Sequence, residues 1–404
     1  MYCLAKKIYQ RSKMKKQLGA SFLLAGTAIG SGMLSLPMVL AKFGIINSAA
    51  IMLLFAFLTY LTAIIRSDLN LNSHADASLK EVGEIFKCPM TGKLGDFLMK
   101  LLHLSLMAAY IFGGSSIIAS FSGNVISTPI ILILFAICVT ATLISASEII
   151  VHVNKFLFIA MFSILITLIV ALFLQTPING VPQQVENISL GEWTTLVPII
   201  FTSFGFQGSI HSMVKFCQND RKLIKNACIW GSLIPAFVYI VWTAAILLVV
   251  FNTDANFFQL MLEGKATDVG QLVSVLAKAT SIKSMQAIIW IISLLAILTS
   301  ILGVGLALLD IFEQEWKIAR WQTVSIVVIG PALVSLFVPN AFIRILNVAG
   351  VILAIMAIIV PVIISWKMQE TKKTNLLLKN KFGLACVFAC GVAIVLLGIL
   401  DLMR

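Results

Sequence analysis

The sequence predicts an all-α integral membrane protein: eleven transmembrane helices in a five-plus-five inverted repeat, with helices 1 and 6 broken, plus one extra helix. Three observations lead there. The 404-residue chain is 60% hydrophobic and only 11% charged, with a mean hydropathy of +1.03, whereas soluble domains carry roughly 25% charged residues. Eleven apolar runs approach the ~20 residues needed to cross a bilayer. Two of these runs, five spans apart, are interrupted by glycine and hydroxyl residues, at Gly26–Pro37 and Phe201–Ser209.

Residues 1–17 hold Lys6, Lys7, Arg11, Lys13, Lys15 and Lys16 without an apolar core, which predicts a basic cytoplasmic tail and not a cleavable signal peptide. The apolar runs follow at 18–40, 45–65, 97–120, 129–147, 155–175, 193–213, 227–251, 284–308, 321–338, 342–366 and 382–402. They divide the chain into a first five-helix repeat (18–175), an external loop (176–192), a second, inverted repeat (193–366), and an eleventh helix with its preceding cytoplasmic loop (367–404). The ninth run is short, and its boundary with the tenth falls at Pro339 and Asn340.

Charge sets the expected topology. With the N-terminus cytoplasmic and the C-terminus periplasmic, all basic residues except Lys42, Lys265, Lys278, Lys283, Arg344 and Arg404 fall in inside segments, as the positive-inside rule requires. The net charge of +12 therefore reflects topology. No basic patch with interleaved aromatics points to nucleic acid. None of the seven cysteines falls in an external loop, where a disulfide would persist. The histidines at 74, 103, 152 and 211 form no HExxH or other metal motif. Neither a metal, a cofactor nor an enzymatic activity is expected. The expected partners are a small-molecule substrate and the lipid bilayer, with no obligate protein partner evident.

Close helix packing alone accounts for Gly26 and Gly30, a GxxxG pair. The further Gly32, beside Thr27 and Ser31, points to an unwound segment, which is tolerated in a bilayer only where it lines a cavity or binds a ligand. Amides near Ser31, Gly32 and Met33 would begin a half-helix, whose positive end suits a carboxylate. Carbonyls from Thr202 through Ser203 to Phe204 would end another, and suit an ammonium group. Together they fit a zwitterion, and a free α-amino acid is the commonest solute of that kind.

Phe204 and Phe206 flank Gly205, Gly208 leaves further room, and Tyr110 precedes Gly113 and Gly114. Aromatic walls beside glycine-made space suit a large flat side chain; the other reading is that these rings face lipid or fill the core. No Asp or Glu sits at the middle of a span, so no proton carrier is obvious. His103 and His211 titrate in the right range, and Lys155 lies near a cytoplasmic span end. The segment from Ser67 to Asp96 has the pattern of a short amphipathic surface helix, the segment from Asn252 to Lys283 reads as an external lid or a plain connector, and Asn187-Ile188-Ser189 is a sequon.

The runs Gly26-Thr-Ala-Ile-Gly-Ser-Gly-Met-Leu34, Phe201-Thr-Ser-Phe-Gly-Phe-Gln-Gly-Ser209 and Thr299-Ser300-Ile301-Leu302-Gly303-Val304 before Asp310, with Asn154-Lys155-Phe156-Leu157-Phe158, resemble the tyrosine-specific permeases of the hydroxy and aromatic amino acid permease family. The resemblance covers nearly the whole chain. It implies an inner-membrane symporter for tyrosine or tryptophan, driven by a co-transported proton, with Thr299 and Ser300 also at the substrate site. Members that carry serine or threonine, sodium-coupled carriers of the same fold, and amino-acid-sensing transceptors are the alternatives. In proton-coupled relatives of the fold a fifth-span lysine replaces a sodium ion, which gives Lys155 its role in this reading. Where the tyrosine permeases carry a histidine, this chain has Gln207, which does not titrate.

Overall fold

The structure is a computed structural model that describes residues 2–30, 32–123, 125–175, 179–185, 188–280, 282–338, 341–371 and 380–404. Ser31, Asn187 of the sequon and the boundary residues Pro339 and Asn340 lie outside the described residues. Among the described residues the chain is all α, without strands. The helices are α1 (Tyr2–Ala28), α2 (Gly32–Leu40), α3 (Gly44–Asn72), α4 (Leu79–Ile85), α5 (Pro89–Phe121), α6 (Thr128–Ile144), α7 (Ser147–Gln175), α8 (Leu190–Ser203), α9 (Ile210–Phe216), α10 (Arg221–Thr253), α11 (Ala255–Leu262), α12 (Val269–Lys278), α13 (Lys283–Trp316), α14 (Arg320–Phe337), α15 (Ala341–Ala354), α16 (Val360–Thr371) and α17 (Lys381–Leu402).

Eight stretches of described helix are long and apolar enough to cross a membrane. The first of them, Gly32–Asn72, runs through α2 and α3; with α2 assigned to α1 as one interrupted span, α8–α9 as another, and α6, which has 17 residues, they match the eleven runs of the sequence. A π-helical turn, Ile355–Ile359, joins α15 to α16 within the tenth. Both interruptions fall where helix propensity is lowest and a close approach excludes a side chain. At the first, a Cβ on Gly30 would stand 2.4 Å from Ser300 Oγ of α13. At the second, a Cβ on Gly205 would stand 2.8 Å from the Thr202 carbonyl.

Lipid tails give helices little hydrophobic reason to associate, so small residues and buried hydrogen bonds hold the bundle together. The long α5 runs through its centre against α4, α6, α12, α13, α14 and α15. Ser335 of α14 donates to the Ala108 carbonyl of α5 (2.7 Å). The α15 helix crosses α8 closely: a Cβ on Gly350 would meet the Pro198 carbonyl oxygen at 2.2 Å. Asp401 of α17 accepts from the Thr195 hydroxyl of α8 and from Asn347 Nδ2 of α15 (2.9 Å), which anchors the last helix to both.

The connectors follow their sequence patterns in part. Within the segment from Ser67 to Asp96, α3 continues to Asn72 and α5 already starts at Pro89. What remains is α4, opened by a Ser78–Glu81 capping box. Leu79, Val82 and Phe86 are buried, and Gly83 meets Gly92 of α5 at backbone distance. The segment from Asn252 to Lys283 forms α11 and α12, which fold back on α10, α5 and α13. Asp268 caps α12 and accepts from Ser116 of α5. At the α1 end of the bundle, Lys215 of α9 pairs with Asp76 (2.8 Å) and holds that carboxyl below its ordinary range.

Candidate functional site

The two interruptions lie side by side. A Cβ on Gly32, the first residue of α2, would stand 3.0 Å from the Cα of Ser203, the last residue of α8. The positive N-terminus of one half-helix thus adjoins the negative C-terminus of another. Ser203 Oγ donates to the Ile199 carbonyl (3.0 Å) and reaches the Gly32 carbonyl at 3.3 Å. Across the break, the hydroxyls of Thr27 and Ser209 share a hydrogen bond of 3.0 Å.

One face of α10 holds these ends in place. The Tyr239 hydroxyl lies 2.7 Å from the Ala28 carbonyl, which ends α1, and 2.7 Å from the Ser203 carbonyl, which ends α8. One turn on, Trp242 Nε1 donates to the Met33 carbonyl of α2 (3.0 Å). Both side chains are almost fully buried, at 0% and 1% exposure. Sequence reasoning passed over both. Their signal is an aromatic pair with polar tips at i, i+3 in an apolar run, since such tips need a partner when buried.

A cavity of about 480 Å³ opens against the two breaks. Gly26, Thr27, Gly30 and Gly32 line it from the first, and Ser203, Gly205, Gln207 and Gly208 from the second. Tyr110 of α5, Thr299 and Ser300 of α13, and Lys155 of α7 complete the set of predicted residues that the fold brings together. Among the described lining residues Lys155 is the one with a full charge, and none is acidic. Phe22, Leu23, Thr27, Val151 and Lys155 are exposed at its edge. There α1 packs on α10 and α9 while α7 packs on α13, so the mouth lies between α1 and α7. Deeper in, the Phe158 ring of α7 stands 3.2 Å from where a Gly26 Cβ would be.

Three predicted residues stand off this wall. Phe204 is fully buried, edge-on to Tyr239 at 5.1 Å between centroids. Phe206 turns into a second apolar cluster with Leu24, Ala63, Ile210 and Met213. A break of the helix rotates the residues on either side of it, so adjacency to Gly205 did not fix where these rings point. His211 lies behind Gln207, in a separate void of about 10 Å³ with Arg66. The room expected at Gly113 and Gly114 is taken by Phe342, Phe135 and Ile297. The cavity's aromatic surface comes from the predicted Tyr110 together with Phe22 and Phe158. His103, named above for its titration range, has its Nδ1 donating to the Met99 carbonyl (2.7 Å); missed as a site residue was Asn154, whose buried Oδ1 has no donor among the described residues. Both line the cavity. Most of the wall's hydroxyls are committed to their own helices, as with Thr299 to Leu295 (2.9 Å) and Ser300 to Ala296 (2.8 Å).

A multi-pass helical membrane protein with a cavity set against two interrupted helices has the form of a solute carrier. Comparison with known proteins gives the family: the chain belongs to the tryptophan/tyrosine permease family, whose model matches residues 13–398. It is therefore a transport protein and not an enzyme. It is similar to tyrosine-specific transport system 1 of Haemophilus influenzae, at 29% identity over 88% of this chain and 89% of that protein. Glutamine transporter 2 of Aliivibrio fischeri is also 29% identical, over 89% of this chain and 92% of its own length. The tryptophan-specific transport protein of Pseudomonas aeruginosa is 27% identical, over 88% and 87% respectively.

Proposed function

We propose that this permease imports an aromatic amino acid, tyrosine foremost, across the bacterial inner membrane in symport with protons. The observation that carries the substrate class is the contact between the α2 N-terminus at Gly32 and the α8 C-terminus at Ser203 on one cavity wall. The first suits a carboxylate and the second an ammonium, as a free α-amino acid requires. Phe22, Phe158 and Tyr110 offer the apolar surface for an aromatic side chain. The tyrosine- and tryptophan-specific names of the relatives support the same class. In this reading the chain is a pair of inverted five-helix repeats, with a cytoplasmic N-terminus and a periplasmic C-terminus, as its basic residues suggest. The mouth between α1 and α7 then faces the cytoplasm. Lys155 at that mouth is the group on which proton coupling turns. One co-transported positive charge supplies roughly 2.3 kcal/mol per 100 mV, enough for about fiftyfold accumulation.

A second reading, glutamine or another polar amino acid, is favoured by Gln207 and Asn154 on the wall and by the relative named for glutamine transport. Uptake of labelled tyrosine by cells expressing the chain, challenged with unlabelled tryptophan, phenylalanine, glutamine, serine and threonine, separates the two. Competition by the aromatics alone is expected. No saturable uptake of tyrosine, or tyrosine uptake competed by glutamine or serine and not by the aromatics, would reject the aromatic assignment.

A further inference from the structure

The Tyr239 hydroxyl serves two acceptors with one hydrogen. Its oxygen lies 2.7 Å from the Ala28 carbonyl and 2.7 Å from the Ser203 carbonyl, and a phenol has a single O–H to donate. These carbonyls are the last of α1 and of α8, so two negative helix ends converge on one donor. At any moment one of the two short O···O contacts has no hydrogen between its atoms. Ala28 and Ser203 both line the cavity, and Tyr239 is fully buried behind them. The Phe204 ring at 89° to the tyrosine ring holds it from the side. Among the described residues Tyr239 is the one side-chain donor to either carbonyl, and the cluster's open side is the side from which a substrate arrives.

We propose that Tyr239 is the positioning residue for the substrate's ammonium group. This rests on the amino-acid reading above. The ammonium donates to whichever of the two carbonyls Tyr239 leaves, and the hydroxyl keeps the other. Two acceptors then meet two donors, and the ends of both half-helices are held by a hydrogen-bond set that is complete only with substrate bound. Tyr239 thereby favours ligands with a free amino group without touching the substrate. It also ties the α1 end to the α8 end while the cavity is empty.

The test compares the wild-type protein with Tyr239→Phe, which keeps the ring packed against Phe204 and removes the donor. Affinities are measured from ligand protection against heat denaturation for three probes: tyrosine, tyramine, which keeps only the ammonium, and 3-(4-hydroxyphenyl)propanoate, which keeps only the carboxylate. Tyr239→Phe should weaken tyrosine and tyramine about tenfold, as loss of support for one charge-assisted hydrogen bond implies, and leave the propanoate unchanged. Trp242→Phe removes a donor to a carbonyl that is not on the cavity wall, so any change it makes should be equal for all three probes. Equal weakening of the three by Tyr239→Phe, or of none, overturns the proposal. Should that variant not insert, 3-fluorotyrosine at position 239 supplies a stronger donor on the same ring. It should tighten tyrosine and tyramine selectively, and an unselective or absent effect overturns the proposal equally. A wild-type protein protected by none of the three overturns the aromatic amino-acid reading, and this proposal with it.

Discussion

Replacing Gly30 with alanine puts a methyl group where α13 already stands. The new Cβ would lie 2.4 Å from Ser300 Oγ, but 3.7 Å from Ser300 Cβ and 4.0 Å from the Ala296 carbonyl. The clash is therefore with one atom. That hydroxyl donates to the Ala296 carbonyl at 2.8 Å, so moving it breaks a hydrogen bond and drives Ser300 toward a poorer rotamer. Otherwise the first break must shift away from α13. Overpacking of this kind costs about 1–3 kcal/mol. Gly30→Ala should lower thermal stability accordingly and cut uptake, with membrane insertion preserved. Adding Ser300→Ala removes the clashing oxygen and leaves contacts of ordinary length. The double variant should regain most of the lost stability, with a coupling of at least about 1 kcal/mol between the two sites. Melting of the four purified proteins in one detergent measures it. Additive single effects, or a Gly30→Ala protein as stable as the wild type, would refute the close approach of the first break to α13.

Further outcomes follow from other contacts. Gly350→Ala should reduce the folded yield sharply, because its Cβ would meet the Pro198 backbone oxygen at 2.2 Å and no side chain can move aside; detergent-resistant monomer on size exclusion reports it. Asp401→Asn should loosen α17 by about 1–3 kcal/mol, since the Asn347 and Thr195 donors lose a charged acceptor; limited proteolysis of the C-terminal helix reads the change. The Lys215–Asp76 pair has a signed pH dependence. Hydrogen bonding to Lys215 lowers the Asp76 carboxyl from its ordinary value of 3.8. Its contribution is present above that value and fades as pH falls through the lowered one. The melting difference between wild type and Asp76→Asn should then be flat from pH 5 to 8 and shrink toward zero in stronger acid. A difference that grows as pH falls would contradict the pairing.

The membrane class, the eleven runs and both interruptions were legible because each is a local property. Bilayer thickness sets the length of a run, and Gly30, Gly32 and Gly205 mark places where no side chain fits. That the two breaks lie side by side, Gly32 against Ser203, is a tertiary contact that neither run reports alone. Side-chain directions next to a break were not legible, since the helical period is lost there; Phe204 and Phe206 turned away from the cavity for that reason. The space at Gly113 and Gly114 is filled by Phe135 and Phe342, the second more than two hundred residues further on, and no local pattern reports a partner so distant. Tyr239 and Trp242 sit in an apolar run where aromatics are common. What sets them apart is the carbonyl each one reaches, which belongs to another helix.

The most direct measurement is uptake of labelled tyrosine into proteoliposomes under an inward acid gradient without sodium, beside the same vesicles with a sodium gradient and no pH difference. Accumulation above equilibrium in the first case alone, blocked by tryptophan and phenylalanine and lost in Gly205→Leu, is the expected result. Accumulation that needs sodium, or that proceeds unchanged in Gly205→Leu, would contradict a proton-driven carrier built on the two interrupted helices.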